Sequence, residues 1–148
     1  MSVSLYGSGQ TVLQVVTGTA NTQTSTSGST YVNTGLSATI TPQSTNSKIL
    51  VIASQQMYVN SNGLVIACQI ARNSSGVSPG YEYCLWANSS QTMSNISLQY
   101  LDSPATTSAT TYTTQMKVRA SSGTVSAQYG DGNGQASSYI ILLEISGS

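Results

Sequence analysis

Residues 47–59 read Ser-Lys-Ile-Leu-Val-Ile-Ala-Ser-Gln-Gln-Met-Tyr-Val, and this stretch limits the chain's folding options more than any other. Residues 49–53 are apolar on both faces of an extended chain, and the β-branched Ile49, Val51 and Ile52 suit a pleated, buried strand. The second half alternates, with Gln55, Met57 and Val59 on one face and Gln56 and Tyr58 on the other. The expectation is a strand buried between layers at its first end and running out to solvent or a neighbour at the other.

The rest of the chain supplies partners of the same kind. Residues 11–16 read as a short first strand, and residues 18–29 as a Ser/Thr/Asn linker without periodicity. Residues 30–41 read as strand, turn at Gly35, strand, stopped by Pro42, which cannot donate to a ladder. Asn60-Ser-Asn-Gly63 is a hairpin signal because Asn-Gly supplies positive φ at low cost. Beyond it, residues 64–72 place Leu64, Ile66, Cys68 and Ile70 on one face, residues 73–80 form a loop, and residues 81–87 form an aromatic strand. Ile96, Leu98 and Tyr100 mark a further strand. Residues 110–120 alternate most cleanly, with Tyr112, Thr114, Met116, Val118 and Ala120 inward. A short strand over 124–129 follows, and Tyr139, Ile141, Leu143 and Ile145 close the domain. Eight to ten strands with regular turns and no helical period predict an all-β antiparallel sandwich, of jelly-roll type.

Composition narrows the function classes. Only 5% of the 148 residues are charged against 39% hydrophobic, so the chain can bury a core but must stay soluble through neutral groups. Ser and Thr, roughly a third of the residues, are those groups. Four basic and four acidic residues give zero net charge, which argues against electrostatic nucleic-acid binding and against a polybasic membrane patch. No apolar run reaches eighteen residues, the length a spanning helix needs. Residues 1–9 carry no positive region and no long apolar run, so the expectation is folding in a cytoplasm, with Cys68 and Cys84 as reduced, packed thiols.

Catalytic patterns fail on their chemistry. Gly76-Val-Ser-Pro-Gly80 fits the spacing of a nucleophile elbow, but the chain has no His to act as base. Asp131-Gly-Asn-Gly134 resembles the start of a calcium loop, yet no acidic ligand follows nearby, and a hairpin tip explains it better. Two Cys and no His leave a metal without its usual ligands. No catalytic, cofactor-binding or metal-binding residue is therefore assigned. Tyr81, Tyr83 and Trp86 invite a sugar- or partner-contacting reading, set against packing in a chain without Phe.

Four strings carry a resemblance: residues 29–42 (Ser-Thr-Tyr-Val-Asn-Thr-Gly-Leu-Ser-Ala-Thr-Ile-Thr-Pro), 47–51 (Ser-Lys-Ile-Leu-Val), 102–115 (Asp-Ser-Pro-Ala-Thr-Thr-Ser-Ala-Thr-Thr-Tyr-Thr-Thr-Gln) and 138–145 (Ser-Tyr-Ile-Ile-Leu-Leu-Glu-Ile). Together they resemble a module of tailed-bacteriophage virion proteins, found in capsid-decorating proteins and tail-fibre tips. Many relatives carry an Arg-Asn/Asp-Gly turn after a Cys-containing strand. Here Arg72-Asn73-Ser74-Ser75-Gly76 departs from it, so no role is carried over to that loop. The resemblance implies a β-sandwich or jelly roll, usually trimeric, in a virion assembled in a bacterial cytoplasm.

The residues and the resemblance together set the remaining expectations. Residues 1–20 form an N-terminal arm and first strand, and residues 21–148 a single sandwich domain. The protein is expected to be a capsid decoration (cement) protein, a homotrimer bound outside the shell to the major capsid protein or another virion protein. The alternative is a tail- or head-fibre tip that recognises a host surface glycan. The short run from residue 1 into the module, without a shaft, favours decoration. An enzyme such as a polysaccharide depolymerase is set aside. Leu5 and Tyr6 are candidates for virion attachment, and Tyr58, Tyr81, Tyr83 and Trp86 for trimer or partner contact.

Overall fold

The computed structural model describes residues 9–147. Their strands are β1 (Val12–Ala20), β2 (Thr24–Thr26), β3 (Val32–Ile40), β4 (Lys48–Val59), β5 (Val65–Arg72), β6 (Ser75–Gly76), β7 (Tyr81–Trp86), β8 (Thr92–Asp102), β9 (Thr110–Ala120), β10 (Val125–Ala127) and β11 (Ser138–Ile145). All pair antiparallel. One sheet runs β1-β11-β4-β8, with β10 and β2 continuing beside the second half of β4. The other runs β3-β9-β5-β7, with β6 folded back on β5.

Among the eight long strands, the first pairs with the last (β1 with β11), the second with the seventh (β3 with β9), the third with the sixth (β4 with β8) and the middle two with each other (β5 with β7). That nesting, split across two packed sheets, is a jelly roll. β4 lies at the centre of its sheet, between β8 on one side and β11 and β10 on the other. Its Ile49, Val51, Ala53, Met57 and Val59 point between the sheets and meet Leu36, Ile40, Ile66, Ile70, Leu98, Tyr112, Met116, Ile140 and Leu142 in one core.

Several local expectations change once the sheets form. Residues 18–29 are no plain linker, because β1 continues to Ala20 and β2 occupies Thr24–Thr26. Small and hydroxylated side chains do not announce a strand, but Thr17, Gly18, Thr19 and Ala20 find ready partners in residues 138–141 of β11. Gly35 makes no turn between two strands. It sits at φ +90° in a bulge of the single strand β3, where the register with β9 slips between Asn33 and Ser37. Residues 60–63 do not close a hairpin, since β4 and β5 belong to different sheets and the turn crosses between them. The far end of β4 meets a neighbour and not solvent, because β10 pairs along Met57–Val59 with β2 beyond it. The loop expected at 73–80 contains β6. The inner face of β11 is Ser138, Ile140, Leu142 and Glu144, leaving Tyr139 and Ile141 outside. A run apolar on both faces gives no parity signal, so sequence alone could not orient it.

Candidate functional site

The outward-facing side of β11, with Tyr139, Ile141 and Leu143, lies in the most distinctive surface of the molecule. Across the outer face of the first sheet, cross-strand neighbours form rows. One row is Val15, Leu143, Leu50 and Leu101, and the next is Thr17, Ile141, Ile52 and Gln99. A third is Thr19, Tyr139, Ser54 and Ser97. Tyr139 is 54% exposed and Ile141 37%, while Leu50, Ile52 and Leu143 are half-buried by their own neighbours. Lys48, at one end beside Ile145, is the charged residue on this face of β1, β4, β8 and β11. Apolar rows in the middle with Thr, Ser and Gln at the edges match the anatomy of a protein interface: a dry centre depleted of charge and a hydrogen-bonding rim.

The sequence-derived contact residues do not gather on this face. Tyr58 lies further along the outer side of β4, but its ring stacks on Tyr129 (centroids 3.8 Å apart), leaving it 7% exposed. Burial, then the Tyr129 phenol, raises its pKa. Tyr81 reaches over the sandwich rim, its hydroxyl donating to the Gln99 carbonyl at 3.0 Å, and so ties β7 to β8. Tyr83 and Trp86, at 70% and 68% exposure, stand furthest into solvent, with Tyr81 at 39%. Leu5 and Tyr6 lie outside the described residues.

Beside Tyr83, the outer face of the second sheet carries an ion-pair cluster. Glu82 on β7 meets Arg119 at 2.9 Å and Lys117 at 3.5 Å, both on β9. The Arg119 guanidinium lies 5.2 Å from the Tyr83 ring centre, and Lys117 Nζ lies 4.5 Å from that of Tyr31. Burial, then the Glu82 carboxylate, pushes the Tyr31 phenol up to about 12. These contacts fix the aromatic edge strand, and they occupy the charges that would otherwise face a ligand.

Among the described residues, polar side chains inside the sandwich are paired except for the Ser47 hydroxyl, which is buried without a hydrogen-bond partner. Gln55 Oε1 accepts from Thr114 Oγ1 (2.6 Å) and Thr34 Oγ1 (3.0 Å), and its Nε2 donates to Ser138 Oγ (2.9 Å). With the Gln128 amide turned to satisfy both ends, it donates to the Thr34 carbonyl (2.8 Å) and accepts from Gln55 Nε2 (2.7 Å). At the other end, Asp102 Oδ2 accepts from Arg72 Nη1 (2.8 Å) and Tyr112 Oη (2.6 Å). Burial, then the bond to Asp102, raises the Tyr112 phenol far above its ordinary range. The buried carboxylate of Glu144 accepts from Gln14 Nε2 (2.5 Å) and the Gln43 N–H (2.7 Å). Burial pushes its pKa up, but the facing Ser47 hydroxyl and these donors outweigh that and hold it below the usual carboxylate range. These arrangements join the sheets and their connections, and none presents an acid/base pair to an open cleft.

The remaining motifs are structural in this setting. Ser78, central in the elbow-like spacing, uses its Oγ to accept the Ile70 N–H at 2.9 Å within the β5–β6–β7 connection. Residues 131–134 form a small hairpin tip closed by a Gly130–Gln135 bridge, with Asp131 accepting the Asn133 N–H. Among the described residues, no group of three His, Cys, Asp or Glu could hold a metal ion. The two-faced residues 49–53 point to an outer apolar face from sequence, but the rows themselves could not be assembled because their members belong to four strands far apart in the chain. The available signal was the two-sided apolar character of residues 49–53 and 139–145. No protein-family model matches the chain, and no curated protein matches it in sequence.

Proposed function

We propose that this protein is a structural component of a tailed-phage virion, a capsid decoration protein that acts as a homotrimer on the outside of the shell. The observation that carries the reading is the outer face of the β1-β11-β4-β8 sheet, with apolar rows at its centre, a hydroxyl and amide rim, and Lys48 as its charge. A face of this kind, left in water, favours association, each Å² of apolar surface buried contributing about 25 cal/mol. The four strings that carry the phage-module resemblance support the fold side of the reading. They become β3, the start of β4, the β8–β9 connection with the first half of β9, and β11.

Two measurements test it. Light scattering on the purified protein at micromolar concentration should give three times the chain mass, and Ile52→Asp with Ile141→Asp should reduce it to one chain with an unchanged circular dichroism spectrum. A monomeric wild type across that range overturns the oligomer. Copy number in purified particles then separates locations, with capsomer-scale abundance meaning decoration. The fibre-tip reading draws on one observation, the solvent-facing Tyr83 and Trp86, whose flat apolar faces could stack on a host glycan. Tail-scale abundance would favour it.

A further inference from the structure

Cys68 on β5 and Cys84 on β7 lie sixteen residues apart in sequence, yet their sulfurs are 2.6 Å apart. The ladder between the two strands explains the approach. Val65 faces Trp86 and Ile66 faces Leu85, but Cys68 faces Tyr81, so residues 82–84 bulge opposite Ala67 and bring Cys84 across to Cys68. The Cys84 thiol also lies 3.2 Å from the Ile66 carbonyl oxygen, which holds it on this side of the strand. Cys68 is fully buried and Cys84 half-buried, so only one of the two is open to a reagent. The separation exceeds a disulfide bond length of about 2.05 Å by little more than half an ångström.

We infer that Cys68 and Cys84 are a redox pair that closes to an intrachain disulfide, stapling edge strand β7 to β5, when the folded protein meets a small-molecule disulfide. The more exposed Cys84 sulfur, as thiolate, attacks one sulfur of oxidised glutathione. The glutathione S–S bond breaks and one glutathione leaves as its thiol, taking up a proton from solvent. Cys68 then gives up its proton and attacks Cys84 Sγ, forming the protein disulfide and releasing the second glutathione. Two protein thiols are oxidised and one small disulfide is reduced to two thiols, so electrons and protons balance. The neighbouring Cys84 and burial raise the Cys68 thiol well above its ordinary range, so Cys68 stays protonated until the mixed disulfide sits beside it.

The consequence falls on β7, which carries Tyr83 and Trp86 and is held to β5 by a ladder the bulge interrupts. The expectation of reduced thiols from sequence describes the protein under reducing conditions, and the geometry adds a second state. The test starts from fully reduced, folded protein. After exposure to oxidised glutathione at neutral pH, the sample is acid-quenched, denatured and alkylated without reductant, and its intact mass is read. The expected product has lost two hydrogens, carries no alkyl group and runs as a single chain without reductant, while phosphine treatment restores two alkylation sites. Two alkyl groups after exposure, a persistent glutathione adduct, or a chain-to-chain disulfide would each overturn the inference.

Discussion

The bonds at Asp102 give a calculable perturbation. One carboxylate oxygen accepts from both Arg72 and Tyr112, joining the end of β8 to β5 and β9 in the opposite sheet. Asp102→Ala removes both interactions. The Tyr112 hydroxyl is fully buried and would be left without an acceptor, which costs about 1–3 kcal/mol. The Arg72 side chain is 31% exposed, so water recovers part of its loss and its share is about 1 kcal/mol or less. The sum is about 1–4 kcal/mol, and at about 2–4 °C per kcal/mol for a chain of this size the melting temperature should fall by about 2–16 °C. Asp102→Asn retains an acceptor for Tyr112 and loses only charge, so it should cost about 1 kcal/mol. Urea unfolding followed by far-ultraviolet circular dichroism, at fixed protomer concentration, measures both. Trp86 fluorescence is a poor probe, because the sole tryptophan is already 68% exposed when folded. An Asp102→Ala variant within 0.5 kcal/mol of wild type would refute the reasoning, as would Asp102→Asn matching its loss.

Glu144 should make stability acid-sensitive. Its pKa is lowered on folding, so its contribution is present above the unfolded value of about 4.3 and is lost as pH falls through the folded one. Melting curves from pH 7 downward should therefore show a smaller decline for Glu144→Gln than for wild type. Gly18→Ala should be among the most damaging one-carbon changes, because its Cβ would overlap the Ser37 carbonyl oxygen of β3, a backbone atom that cannot step aside. The expected loss is about 2 kcal/mol or more by urea unfolding, against about 0.5 kcal/mol for an unhindered strand site. Self-association through the outer sheet face should change little between low and high salt, because that face has few charges to screen, and a steep salt dependence in light scattering would count against that interface.

What could be read from residues depended on whether burial is one-sided. β9 alternates cleanly in sequence, and Tyr112, Thr114, Met116 and Val118 of its expected inward set are buried, but Ala120 is only half-buried and Thr113 and Gln115 on the opposite face are buried as well. β5, with Leu64 just before it, likewise buries its expected set of Ile66, Cys68 and Ile70, although Val65, Ala67 and Ala71 on its other face are buried as well. β11 does not, since Tyr139 to Ile145 is apolar or large at almost every position, and only pairing with β4 decides which half turns inward. Long-range closure was equally illegible. β2 is three residues of Thr and Ser whose identity as a strand rests on β10, a hundred residues later. The Cys68–Cys84 approach depends on a bulge that follows from where β7 meets β5, and neither cysteine's immediate neighbours announce it. What the aromatics touch was not legible either: Tyr81, still 39% exposed, donates to the Gln99 carbonyl, and Tyr58 stacks on Tyr129.

The disposition of charge explains why the outer sheet face, and not an electrostatic site, dominates this surface. Of four carboxylates, Glu82 is shared by Lys117 and Arg119, and Asp102 is taken by Arg72 and Tyr112. Glu144 is buried against Gln14 and the Gln43 N–H, and Asp131 is turned onto its own hairpin. Three of four basic residues are thereby paired, leaving Lys48 as the one without an ion pair among the described residues. Carboxylates employed this way hold connections and sheets in register, which a core of interchangeable Ile, Val and Leu does less specifically. The Gln55–Thr34–Thr114–Gln128 network does the same with neutral groups at the other end of the sandwich. Recognition by such a molecule has to use apolar area, ring faces, and hydroxyl or amide hydrogen bonds. Those are concentrated on the outer rows of β1, β11, β4 and β8, and secondarily on the exposed Tyr83 and Trp86 of β7.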